Sequence, residues 1–196
     1  MRVSLFYHSL VSDWNHGNAH FLRGVVIPNG RSPRGLEPLP KQPYVLGVGR
    51  AWDAAKNLAA LERVARRLEW PVVVATGTVP ERQLRDRYRE ASIFAEPARY
   101  EPFGLAALEA ALAGCALVLG DIPSLREVWG DAALYVDPFD DDALAAELER
   151  LIQDEALRER MAAAARTRAG EYTPERMAAA YNRLYARIAA PEEVLI

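Results

Sequence analysis

Apolar residues recur along the chain in two alternating rhythms. Short runs rich in β-branched and aromatic residues read as strands: Arg2 to Tyr7, Tyr44 to Val48, Pro71 to Ala75, Ser92 to Ala95, Ala116 to Leu119 and Leu134 to Val136. Between them, helical spacing takes over. Leu58, Leu61, Val64, Ala65 and Leu68 share one face of a helix expected from about Asp53 to Leu68. Glu81 to Ala91 predicts a helix charged on all but one face, and Leu105, Leu108 and Leu112 mark the next. A short helix is expected near Ser124 to Trp129. Asp140 to Asp142 can cap another that carries Leu144, Leu148, Leu151 and Ile152. A helix follows from about Glu155 to Arg168. Thr173 and Pro174 then supply a cap and a first-turn proline for a final helix striped with Met177, Tyr181, Leu184, Tyr185 and Ile188, a stripe read as core packing. Strands alternating with helices imply an α/β fold, a Rossmann-like parallel sheet with helices on both faces. In such sheets ligands bind at the carboxyl ends of the strands.

The densest chemistry lies in Ala98-Arg-Tyr-Glu-Pro-Phe-Gly-Leu-Ala-Ala-Leu-Glu109, placed as the loop and helix after a strand. Seven residues separate Glu101 from Glu109 in it. Pro102 sits near the first turn, where its missing N–H costs nothing, and Gly104 lets a ligand approach the backbone. The helix start then presents open N–H groups and the positive end of its dipole, which together favour an anion. Glu109, one to two turns in, can reach hydroxyls further along the ligand. A phosphate flanked by hydroxyl groups describes a nucleotide sugar.

The Glu-x7-Glu motif in EPFGLAALEAALAGCALVLGD resembles the donor-binding domain of retaining GT-B glycosyltransferases of the family 4 type. Tyr44 to Arg50 followed by Lys56-Asn57 resembles that family's first donor-domain strand and basic pair, and Asp121 to Val128 and Ala133 to Pro138 its closing strands. The likeness runs in order from about Val26 to Ile188. It implies transfer of a hexosyl group from a nucleotide-diphosphate sugar, with retention and generally without a metal, so no cofactor beyond that donor substrate is expected. Arg50 and Lys56 would clamp the diphosphate, with Glu101 completing the catalytic set by contacting the transferred sugar. Phe103, Gly104 and Leu105 would line the donor, with Gly104 and Leu105 offering N–H groups to the phosphates, and Glu109 would accept from the ribose hydroxyls. Gly17 matches the family glycine that admits donor or acceptor. The acceptor would be a carbohydrate or a lipid-linked sugar.

The same likeness divides the chain. Residues 1–24 resemble a strand–loop–helix remnant of the acceptor domain, 25–43 a proline- and glycine-rich linker, and 44–190 the donor-binding domain. Most of the acceptor domain is expected to be absent. After Val72 to Gly77 the family usually adds a helix and a strand, so a strand near the sheet edge is expected to be missing, its place open to Arg2–Tyr7. Glu96 stands where the family tends to place an apolar or small residue.

Composition narrows the alternatives. Hydrophobic residues at 51% allow a real core, and a net charge of −3 argues against bulk binding to nucleic acid. The single cysteine, Cys115, excludes an internal disulfide, is expected to be a buried thiol, and fits a reducing, cytoplasmic setting. No apolar run approaches a membrane span, and the first residues read as a strand and not as an export signal. Asp13, His16 and His20 lack a fourth ligand, so no metal site is expected. Arg50 and Lys56 taken alone would also suit solvated surface charges, and Glu101 alone a carboxylate that complements the helix dipole. Four functions stay open: a transferase, a nucleotide-binding module without transfer, a partner-binding remnant, or a sugar-nucleotide epimerase. A homodimer that rebuilds a cleft is an alternative assembly.

Overall fold

The computed structural model describes residues 27–77 and 79–189. The expected strand Arg2–Tyr7, its pairing with the sheet edge, Gly17 and the Asp13, His16, His20 group lie outside these. The described residues include five strands: β1 (Gln42–Val48), β2 (Val72–Ala75), β3 (Ala91–Glu96), β4 (Ala116–Gly120) and β5 (Leu134–Val136). All are parallel, in the order β2-β1-β3-β4-β5. Val45 stands between Val72 and Ile93, and Ile93 is also in register with Ala116. Every residue of β3 and β4 is buried, as central strands covered on both faces require. Among the described residues β2 is an edge strand.

The period-two alternation sends side chains to two cores. Leu46, Phe94, Leu117 and Leu119 pack with α2 (Glu81–Glu90), α3 (Leu105–Leu112), α4 (Pro123–Trp129) and the end of α6 (Glu155–Ala169). Val45, Ile93, Ala95 and Val118 face α1 (Leu58–Val64) and α5 (Asp141–Gln153). On α5 the stripe of Leu144, Leu148, Leu151 and Ile152 is buried as its spacing predicts, and Asp140 accepts the Ala143 N–H as its cap. Cys115 is fully buried. On α7 (Pro174–Ala189), by contrast, Met177, Tyr181 and Leu184 are only half-buried and Tyr185 is exposed, so that stripe is not core. No helix among the described residues is long and apolar enough to cross a membrane.

The expected helix from Asp53 to Leu68 is broken. A 3-10 turn, Ala54–Lys56, is capped by Asp53, whose Oδ1 accepts the Ala55 N–H. Asn57 then leaves the helix, with φ 52° in the left-handed region. Its amide supplies the reason: Nδ2 donates to the carbonyls of Pro97 at 3.0 Å and Pro138 at 2.8 Å, which no helical Asn57 could reach together. Arg99 N–H also donates to Ala55 O at 2.8 Å. The loops after β1, β3 and β5 are thereby tied at the carboxyl ends of the strands, and Lys56 is turned toward the β3–α3 loop. Replacing Asn57 by alanine leaves two acceptors unpaired and a Cβ residue at positive φ. The expected loss is about 3 kcal/mol of unfolding free energy by urea denaturation, with Asn57→Gly recovering the conformational part.

Candidate donor site

The predicted residues lie on three segments: the loops that follow β1 and β3, and the linker that precedes β1. The first is the β1–α1 connection. Lys56 Nζ donates to Glu96 Oε1 at 2.7 Å and makes a short bond to Glu101 Oε2. Lys56 and both carboxylates are largely or fully buried. Burial opposes the charge on Lys56, but attraction to Glu96 and Glu101 outweighs it and raises its pKa above the ordinary lysine value. Arg50 is the contrasting cation. It is exposed, stacked 4.8 Å over the ring of Trp52 and paired with Asp53 at 3.4 Å.

The second segment is the β3–α3 loop. Glu101 is turned inward: its Oε1 accepts the N–H of Phe103 at 3.2 Å and of Gly104 at 2.8 Å, and its Oε2 holds Lys56. Ser124 Oγ donates to the Glu101 carbonyl at 2.6 Å and pins the loop to α4. Gly104 is the N-cap of α3 with φ 86°, a conformation that disfavours a side chain. The Gly104 N–H, expected to face phosphates, is given to Glu101. The groups left open by helix geometry are the N–H groups of Leu105, Ala106 and Ala107, and Leu105 itself is half exposed. Phe103 is buried, edge-on to Tyr172 at 5.4 Å, so its ring supports the loop from beneath.

The third segment is the linker before β1, which sequence reading left without a task. Arg31 Nη2 lies 2.7 Å from Glu109 Oε1. The Arg31 N–H donates to Tyr172 O at 2.9 Å, and Gly30 lies so close to Thr173 that a Cβ would fall 2.3 Å from its carbonyl oxygen. The Arg31–Glu109 pair is therefore set by the packing of the linker on the α6–α7 turn. The only sequence signal was one arginine beside a glycine in a proline-rich stretch. Burial raises the pKa of Glu109 although Arg31 opposes the shift.

A cleft of about 360 Å³ opens at the carboxyl ends of β1 and β2, lined among others by Gly49, Arg50, Lys56, Thr76, Glu81 and Ala106, whereas Glu101, Phe103, Gly104, Leu105 and Glu109 do not line it. It brings together the expected cations and the start of α3. A second cavity, of about 250 Å³, lies by Arg168, Arg176 and Arg183, away from the predicted site residues.

Glu96, unexplained in the sequence, is the last residue of β3 and fully buried, and its Oε2 has no hydrogen-bond partner. Burial pushes its pKa up to about 7 against the pull of Lys56.

The family described as "Glycosyl transferases group 1" matches residues 41–168, more than half of the chain. The chain belongs to this family. It is 36% identical over 124 residues to an O-antigen chain mannosyltransferase B of Escherichia coli, covering 63% of this chain and 32% of that protein. It is 33% identical over 155 residues to a D-inositol 3-phosphate glycosyltransferase of Xylanimonas cellulosilytica, covering 78% and 37%. The matched region thus spans about a third of the length of these curated relatives. In fold it is similar to a sucrose-phosphate synthase of Thermosynechococcus elongatus, with a TM-score of 0.73 at 22% identity, over 83% of this chain and 52% of that one. The sheet is the Rossmann-like one expected of a GT-B glycosyltransferase.

Two outcomes follow from the buried cluster. Lys56→Met removes the only cation from two buried carboxylates, and a loss of about 3–5 kcal/mol in urea unfolding is expected. Glu96 has a folded-state pKa raised from 4.5 to about 7, so the folded chain binds the extra proton between those values. Its contribution to stability is present below that window and is lost as pH rises through it. Wild type should therefore lose stability relative to Glu96→Gln from about pH 5 to about pH 7. Parallel pH–stability curves would contradict the assignment.

Proposed function

We propose that residues 44–190 bind the nucleotide-diphosphate sugar donor of a retaining, metal-independent hexosyl transfer. The acceptor is a hydroxyl of a carbohydrate or lipid-linked sugar. The observation that carries this reading is the convergence of Arg50, Lys56 and Ala106, in the first turn of α3, on one cleft at the strand ends. Two cations and a helix dipole aimed at one point suit the charge that builds on a leaving diphosphate as the bond to the anomeric carbon breaks. Preorganised positive groups of this kind do the work that a metal does elsewhere, and retention rests on the family likeness.

The residues divide the task. Arg50, exposed at its tip, closes on the phosphates from solvent, and Lys56 meets them from beneath. Leu105 and Ala106, at the open start of α3, donate their N–H groups to the phosphates. Glu109 accepts from the ribose hydroxyls in place of Arg31. Glu101, with both oxygens engaged inside the loop, acts by holding Lys56 and the start of α3 in position next to the sugar.

Calorimetric titration with UDP, GDP and ADP tests this reading. One of the three should bind. Arg50→Ala should weaken it about tenfold to a hundredfold, the worth of one charge-assisted contact, and Glu109→Ala by a similar factor. Loss of neither contact in a folded variant would refute the site. Binding without transfer from the matching nucleotide sugars would make the chain a nucleotide-binding module.

A further inference from the structure

Glu96 has no task in the donor-site reading, yet it is a fully buried carboxylate beside the cleft residue Lys56. Its Oε1 has one partner, Lys56, and its Oε2 has none. The charged groups that face it are Lys56, from the β1–α1 connection, and Glu101, from the β3–α3 loop. Tyr88 of α2 also senses it, and burial keeps that phenol protonated. The cluster therefore holds two carboxylates around one ammonium. The carboxylates are not equivalent. Glu101 keeps the N–H groups of Phe103 and Gly104 when Lys56 moves, whereas Glu96 has no second donor among the described residues.

We infer that Glu96 couples donor binding to the uptake of one proton: as Lys56 turns to a bound diphosphate, the Glu96 carboxylate loses its counterion and is protonated from solvent. This rests on the donor-site reading. A buried carboxylate without a cation costs far more than a buried carboxylic acid, and the incoming diphosphate adds negative charge beside it. Its raised pKa before binding leaves little free energy to be found for the proton. Glu96 is thus a positioning residue with a second state. It steadies Lys56 in the empty site and, once neutral, ceases to compete for it. Because binding consumes a proton, affinity falls as pH rises, by up to about tenfold per pH unit while the free carboxylate is ionised.

The test is calorimetry with UDP, GDP and ADP near pH 8, in two buffers of very different ionisation heat, on wild type and Glu96→Gln. The terminal phosphate of the nucleotide exchanges its own proton in both proteins, so the difference between them is the quantity read. Wild type should take up close to one proton more than the variant. Its infrared difference spectrum on binding, which needs no variant, should gain a protonated-carboxyl band. Binding with equal proton counts and no new band overturns the coupling while leaving the donor site intact. Binding of no nucleotide by wild type overturns the donor-site reading, and the coupling with it.

Discussion

One ammonium group between two buried carboxylates organises the ligand-binding end of this molecule. Lys56 joins the β1–α1 connection to the end of β3 through Glu96 and to the β3–α3 loop through Glu101. Such a cluster is costly to bury, and it is tolerated because each charge has a partner and Glu101 has two backbone donors besides. The same contacts set the start of α3, since the oxygen of Glu101 that is not spent on Lys56 fixes the N–H groups just before the first helical turn. Asn57, one residue on, ties the carbonyls after β3 and β5 to the same point. The surface around Lys56 and the start of α3 is thus a consequence of how three loops are stitched together, and not a property of any one of them.

Much of the scaffold was legible because its signals are local. Alternating runs of β-branched residues located all five described strands to within a few residues, and the leucine spacing of α5 gave its buried face. The Glu-x7-Glu segment and the basic pair were legible as a pattern, and the structure places Arg50 and Lys56 on one cleft. What was not legible depended on contacts distant in sequence. Helical spacing from Asp53 to Leu68 gave no warning that the Asn57 amide would break the helix to reach Pro97 and Pro138. The tie between Arg31 and Glu109 joins residues 31 and 109 through packing on the α6–α7 turn.

Glu101 shows how one residue satisfies two readings that looked opposed. As a bare carboxylate before a helix it could have been a complement to the dipole, and its bonds to Phe103 and Gly104 are of that kind. Its other oxygen holds the buried cation of the cleft. Glu96 carries the reverse lesson. A charged residue at an apolar position in a central strand reads as an anomaly, and only the position of Lys56 gives it a reason.

Amide resonance mapping with a bound nucleoside diphosphate tests the central claim most directly, because it reports where the phosphates sit without altering the chain. The account predicts the largest shifts at Gly49, Arg50, Leu105 and Ala106. Shifts confined to the cavity by Arg168, Arg176 and Arg183, with the start of α3 unmoved, would contradict it.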